Sequence, residues 1–371
     1  MNLTTLLNHT QKKAVRWGRS LEKAGKATVS GLGAKEPVDR LETSLQEFPA
    51  YQKLKRAAKA VAKEIFPQEL PLYKEKSGPY KVKIHEQSWT DESRDRDIPV
   101  KVYYPDERHD KSPVVVFSHG LAGNSVTYRY LGKHLASHGY TVVAPQHVGS
   151  NTSAVLTKTP VFAFTQEELK HRSADIKFAL DRLEDGSLPE DVMDNIDLNH
   201  KALAGHSFGA LTTQAMAGVV ARDDHGQQVP LADDRFDAFI AISPYGDSLP
   251  TEILGMDTQS YSNINKPVLF MNGEEDDLFT FGKGPMAHNA PFQGAGSKDK
   301  YQVIVDGADH ASFAQVIGLY DSEVVDMTNS TSVAFLDAHL KEEQPAQFYL
   351  ADQLSEVARS RDSQAFIGNA C

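Results

Sequence analysis

The run Lys201-Ala202-Leu203-Ala204-Gly205-His206-Ser207-Phe208-Gly209-Ala210-Leu211-Thr212-Thr213 decides how the rest of the chain is read. A short apolar stretch ends in Gly-x-Ser-x-Gly and passes at once into a helix-prone segment. That is the pattern of a nucleophile elbow, in which a serine sits on a sharp strand-to-helix turn. Gly205 and Gly209 serve a steric purpose, because strand and helix backbones pass so closely that a Cβ at either position would clash. The turn lifts the Ser207 hydroxyl clear of the sheet. The N–H groups opening the next helix then face whatever negative charge forms beside it. By composition, the pattern arises by chance in roughly one chain in ten of this length. The elbow therefore stands only if the partners of a serine nucleophile occur at the right places.

A serine hydroxyl is a poor nucleophile until a base takes its proton, and the base needs a group to hold its ring. The chain order Ser, then Asp or Glu, then His is the one that accompanies such an elbow. After Ser207, the apolar run 267–271 leads into Asn272-Gly273-Glu274-Glu275-Asp276-Asp277, and the run 301–305 into Asp306-Gly307-Ala308-Asp309-His310. Both acidic and histidine-bearing turns follow strand ends, on the sheet edge where Ser207 emerges. His310 is the expected base. Asp276, in a Gly-x-x-Asp turn, is the expected acid, with Asp277 and Asp247 as alternatives; Glu274 and Glu275 read as solvated turn charges.

An oxyanion hole needs two N–H donors fixed before charge develops, and losing one typically costs on the order of 10²–10³ in rate. Phe208, directly after the nucleophile, supplies one. The loop Phe117-Ser118-His119-Gly120-Leu121-Ala122-Gly123-Asn124 supplies the other, and Leu121 is the choice. His119 is counted with the substrate-pocket groups, packing or hydrogen-bonding under the hole rather than moving protons. His206 reads as a packing neighbour and His147 as a residue bordering the pocket. His225 and His288 lie in polar stretches and read as surface groups. No His/Cys/Asp cluster has metal-ligand spacing, and no cofactor is implied.

Around this core, Tyr80–His85 and Ile98–Pro105 alternate like half-exposed edge strands, whereas 113–117 and 141–145 are continuous apolar runs of buried parallel strands. Residues 130–138 and 166–183 read as helices, and 236–242, 267–271 and 301–305 as further strands. This alternation gives an α/β class with a doubly wound, mostly parallel sheet, whose function sits beyond the carboxyl ends of its strands. Two apolar segments are candidate lids: 148–165, carrying Phe162 and Phe164, and 278–296, carrying Phe279 and Phe281. Their bulk suits an acyl or aromatic ester, and ordinary loop packing is an equal reading.

The net charge of −11 hides an asymmetry. Residues 1–66 hold thirteen Lys/Arg against six Asp/Glu, about +7, which leaves about −18 for the remainder. In 1–26, Leu3, Leu6, Leu7, Ala14, Trp17 and Leu21 fall on one helical stripe, with Lys12, Arg16, Arg19, Lys23 and Lys26 nearly opposite. Such a helix either lies in a membrane interface or packs on the protein's own body or a second copy. A nucleic-acid partner is not expected, since the acidic body repels phosphates. The domain reading is 1–75 as a basic helical arm, 76–345 as the catalytic domain and 346–371 as a C-terminal tail. With a single cysteine, Cys371, no internal disulfide framework is possible, which fits a reducing, cytoplasmic setting with any membrane contact peripheral. No apolar run is long enough to span a bilayer, and no secretory signal is expected.

Val116-Phe-Ser-His-Gly-Leu-Ala-Gly-Asn124, Leu135 through His147, the Glu168-Leu-Lys-His-Arg-Ser-Ala-Asp-Ile176 helix and the Gly205–Gly209 elbow together resemble the platelet-activating-factor acetylhydrolase and dienelactone-hydrolase-like branch of the α/β-hydrolases. The resemblance covers roughly 80–340. It implies an α/β-hydrolase fold and a serine carboxylic-ester hydrolase with Leu121 and Phe208 at the oxyanion positions. In the acetylhydrolases the acid follows the strand after the elbow, but here that place reads Ile242-Ser243-Pro244. Asp276 looks like its replacement, as in dienelactone-hydrolase-like and polyester-hydrolase relatives. Dienelactone hydrolases proper use cysteine, so Ser207 argues against that chemistry. The expected activity is esterase- or lipase-type hydrolysis of a small-molecule ester, with lipid-derived or short acyl groups. A hydrolase-fold binding protein without turnover and an acyltransferase using the same triad are the alternatives. Oligomeric state is not written in the sequence.

Overall fold

Ser112–Ser118 is buried along its whole length, and its side chains alternate between two core layers: Val114 and Val116 join one, Val115 and Phe117 the other. A strand buried on both faces belongs in mid-sheet with helices above and below, and the computed structural model has that arrangement. It describes residues 69–368 apart from 107–109, 158–164, 224, 247, 249–250, 253, 278–284 and 315–320. The helix expected over 1–26 therefore lies outside the described residues.

The strands are β1 (Val82–Asp91), β2 (Arg96–Pro105), β3 (Ser112–Ser118), β4 (Thr141–Pro145), β5 (Ile196–His206), a short pair β6 (Ala221–Arg222) and β7 (Gln228–Val229), β8 (Ala238–Ile242), β9 (Val268–Gly273), β10 (Lys300–Val305) and β11 (Gln364–Ile367). Apart from the β6–β7 pair they form one sheet in the order β1-β2-β4-β3-β5-β8-β9-β10-β11. From β4 to β10 all neighbours are parallel, while β1, β2 and β11 run antiparallel at the two margins. The chain winds from β3 out to β4 and then returns across β3 to β5. That reversal opens a crevice beyond the carboxyl ends of the strands.

The helices are α1 (Arg129–Ser137), α2 (Thr152–Thr157), α3 (Gln166–Glu184), α4 (Glu190–Met193), α5 (Phe208–Met216), α6 (Ala290–Gly294), α7 (Ser322–Leu340), α8 (Gln344–Phe348) and α9 (Leu354–Ser360). α3 and α5 cover one face of the sheet; α1, α7, α8 and α9 cover the other. In α3, Leu169, Ile176, Leu180 and Leu183 make the buried stripe, each stabilising by roughly 1.5–3 kcal/mol on burial. Thr165 caps that helix by accepting from the Glu168 N–H. The Glu168 carboxylate does not close a capping box but accepts from Ser150 Oγ at 2.8 Å.

The expected domain limits need correction at both ends. Lys74 Nζ reaches Asp337 at 2.5 Å and Glu343 at 3.0 Å, and Leu72 is buried in the core, so these residues of the expected arm belong to the body. The expected tail is likewise part of it. α8, a π-helical turn (Tyr349–Gln353) and α9 bury Ala346, Tyr349, Leu350, Leu354 and Val357, and β11 pairs with β10 as the last strand of the sheet. Among the described residues no helix is long and apolar enough to cross a membrane.

Candidate active site

β5 ends in the turn that carries Ser207, whose φ of 57° and ψ of −120° a non-glycine residue holds only under strain, about 1–3 kcal/mol. The turn is pinned by the Ser207 N–H, which donates to the Ile242 carbonyl of β8 at 2.9 Å. A Cβ on Gly205 would run into the carbonyl oxygen of Gly209 on α5. One on Gly209 would run into the Ser118 carbonyl at the end of β3. The first contact is the strand–helix approach expected from sequence; the second ties α5 to the neighbouring strand instead.

His310, in the turn after β10, and Asp276, in the turn after β9, meet Ser207 at this edge. His310 Nε2 lies 2.8 Å from Ser207 Oγ and His310 Nδ1 lies 3.0 Å from Asp276 Oδ1. With Nδ1–H donating to the carboxylate, Nε2 is the acceptor facing the serine hydroxyl. Asp276 is fully buried, while Asp277 faces solvent and Asp247 lies outside the described residues. Burial alone would raise the Asp276 carboxyl, but the His288 ring 3.3 Å away and the hydrogen bond from His310 outweigh it and hold the group far below the usual carboxylate range.

The loop after β3 lies against the elbow: a Cβ on Gly120 would stand 3.2 Å from Ser207 Cβ and 3.0 Å from the Tyr128 hydroxyl. In this loop Gly120 N–H donates to Tyr128 Oη, Ala122 N–H to the Ser150 carbonyl and Gly123 N–H to the Gly120 carbonyl. Among the described residues no hydrogen bond engages the Leu121 N–H. Phe208 opens α5 beside Ser207, and Leu121 follows Gly120 in the loop that lies against the elbow.

Sequence reasoning missed what holds this loop. Arg172 on α3 is wholly buried and spans four elements. It donates to the His119 carbonyl and Ser118 Oγ after β3, to Ser150 Oγ at 2.6 Å and to Thr212 Oγ1 on α5 at 3.1 Å. Its guanidinium also stacks 4.4 Å from the centre of the Phe208 ring. Burial lowers it only to about 10, so it stays charged at neutral pH. The signal was present in the sequence, since Arg172 falls on the apolar stripe between Leu169 and Ile176.

His119 is 1% exposed and cannot face a substrate: Nδ1–H donates to the Gly120 carbonyl and Nε2 accepts from the His147 N–H. Its assignment to the substrate pocket is corrected to packing within the loop after β3. His147 is fully buried between Ser118 Oγ and Asp175, and burial with the nearby Arg172 cation lowers it to about 4. His206 Nδ1 accepts from the Tyr128 hydroxyl at 2.6 Å, a packing role as expected. His288, read from sequence as a surface group, is instead completely buried, with Nε2 3.3 Å from Asp276 Oδ1.

Tyr245, after β8, was also missed; its hydroxyl stands 3.4 Å from Ser207 Oγ. Phe162, Phe164, Phe279 and Phe281 lie outside the described residues. The later part of the expected 278–296 lid packs on the body, with His288, Asn289 and Pro291 buried. No group of His, Cys, Asp or Glu among the described residues is arranged to hold a metal ion.

A doubly wound sheet with a serine on a strained turn after its central strand, and a histidine and a carboxylate after later strands, defines an α/β-hydrolase. The comparison with family models agrees. Residues 73–273 match the chlorophyllase family, and the chain belongs to it. That match takes in the β3 loop and the elbow but ends just before Asp276. Platelet-activating factor acetylhydrolase of Canis lupus familiaris is 26% identical over 282 residues, covering 62% of this chain and 58% of its own. The Cavia porcellus protein of the same name is 25% identical over 290 residues, covering 66% and 61%. Cutinase est2 of Thermobifida alba is 26% identical over 227 residues, covering 59% and 60%. The chain thus spans about three fifths of the length of these relatives.

Proposed function

We propose that this chain hydrolyses carboxylic esters of small molecules through an acyl-enzyme formed on Ser207. The observation that carries the reading is the unbroken line from Ser207 Oγ to His310 at 2.8 Å and from His310 to Asp276 at 3.0 Å, on a strained elbow. An acetylhydrolase and a cutinase among the relatives support the same class of reaction.

His310 Nε2 takes the Ser207 proton as Oγ attacks the ester carbonyl, and Asp276 stabilises the imidazolium that forms. The carbonyl oxygen becomes an oxyanion held by the Leu121 and Phe208 N–H groups. As the C–O bond breaks, His310 protonates the departing alcohol. Water then gives a proton to His310, attacks the acyl group and releases the carboxylic acid, and the proton returns to Ser207. The apolar runs 148–165 and 278–296 support an acyl or aromatic group on the ester, and the basic segment 1–26, with its Leu and Trp residues, supports lipid-derived esters met at a membrane surface. Equal sedimentation with anionic vesicles by full-length and arm-deleted chains would remove that last element.

The test is a p-nitrophenyl ester series of increasing acyl length, run with the unsubstituted chain and Ser207→Ala. Turnover that falls at least ~10³-fold in the variant supports the proposal; turnover retained by Ser207→Ala refutes it.

A further inference from the structure

His288 sits in the 3₁₀ turn Pro285–Asn289, behind the acid of the site, and the mechanism above does not use it. Both of its ring nitrogens lie near acceptors, Nδ1 hydrogen-bonded and Nε2 within ion-pair distance without an aligned hydrogen bond. Nδ1 is bonded to the Pro244 carbonyl after β8, and Nε2 lies 3.3 Å from Asp276 Oδ1, the same oxygen that takes the His310 hydrogen bond. A neutral imidazole has one N–H and one lone pair. With Nδ1–H given to Pro244, a neutral His288 would turn its Nε2 lone pair on a buried carboxylate. Only the imidazolium offers a proton to each neighbour.

We propose that His288 is a protonated second partner of Asp276, clamping the acid between two histidines and balancing its charge before His310 takes up a proton. The inference rests on Asp276 being the acid of the site. His288 is a positioning residue in this scheme and touches no substrate. The ionisable groups around it are Asp276 after β9, His310 on the far side of that carboxylate, Tyr245 with its ring centre 5.7 Å away, and His206 at the end of β5. Burial works against its charge, yet the Asp276 contact and the Pro244 carbonyl lift it above the ordinary histidine range.

A fixed cation behind Asp276 opposes a second positive charge on the other side of the same carboxylate. His288→Gln keeps a donor but removes the charge. The expected result is an acidic limb of the kcat/KM profile for p-nitrophenyl acetate displaced to higher pH by about one unit. A loss of rate that is uniform in pH, with the limb unmoved, shows mere packing and overturns the proposal. A second measurement needs no variant: long-range ¹H–¹⁵N spectra of the histidine-labelled full chain at pH 7.5. One slowly exchanging histidine protonated on both nitrogens is expected, and spectra showing only neutral rings overturn the proposal. A chain without esterase activity would sink the functional reading alone, leaving these spectra to decide the protonation of His288.

Discussion

Asp276 holds one charge between two imidazoles, and the pH dependence of folding should show it. Its carboxyl is depressed in the folded state, so its contribution is present above the unfolded value near pH 4 and fades as pH falls toward the folded one. His288 is raised, so its contribution is complete below about pH 6.5 and is lost as pH rises through the folded value. The Tm advantage of the unsubstituted chain over His288→Gln should therefore be largest near pH 5–6 and shrink toward pH 9; an advantage independent of pH would contradict this. For catalysis, Asp276→Asn should lower kcat on the order of 10³–10⁴-fold, while Asp277→Asn, at an exposed position, should leave it within a few-fold. At Gly209 an added methyl meets the Ser118 carbonyl. Gly209→Ala should cost about 1–3 kcal/mol in urea denaturation and misplace the elbow.

Between elements, the main tie is Arg172, which fastens α3 to the β3 loop and to the start of α5. Replacing it with Met strands the His119 carbonyl, costing about 1–3 kcal/mol when left unpaired, and takes one partner each from Ser118 Oγ and Ser150 Oγ, which keep His147 and Glu168. Arg172→Met should show a lower urea midpoint and a kcat reduced about 10- to 100-fold, with KM changed less; an unaltered kcat would show that the oxyanion loop stands without it. The same elements show what a sequence discloses. β3, β4, β8 and β9 were legible because a strand buried on both faces is an unbroken apolar run. Asp276 and His310 were legible because they stand in the turns that follow β9 and β10. α7 was not read: its centre, Thr328-Asn329-Ser330-Thr331-Ser332, is buried yet polar, so hydrophobic periodicity fails there. His288 was hidden for another reason. It lies in a short 3₁₀ turn with no period to mark an inward side, and only the fold brings it to Asp276.

At the scale of the whole molecule, the body begins before residue 75 and closes with β11. A strand of four residues whose side chains are exposed or only half-buried leaves little trace in composition, and its place follows from pairing with β10. Ending the chain at residue 345 would bare the β10 edge and strip Tyr349, Leu350, Leu354 and Val357 from the core. Such a chain should be insoluble or lack cooperative unfolding, whereas a soluble, active product would mean that the C-terminal segment is dispensable. The account as a whole depends on Ser207 being an activated nucleophile. Intact-mass analysis after brief exposure to a fluorophosphonate probe tests this most directly. The account predicts a single adduct on Ser207 that is absent in Ser207→Ala and nearly absent in His310→Ala. A chain that stays unlabelled, or a Ser207→Ala variant that labels as well as its parent, would contradict it.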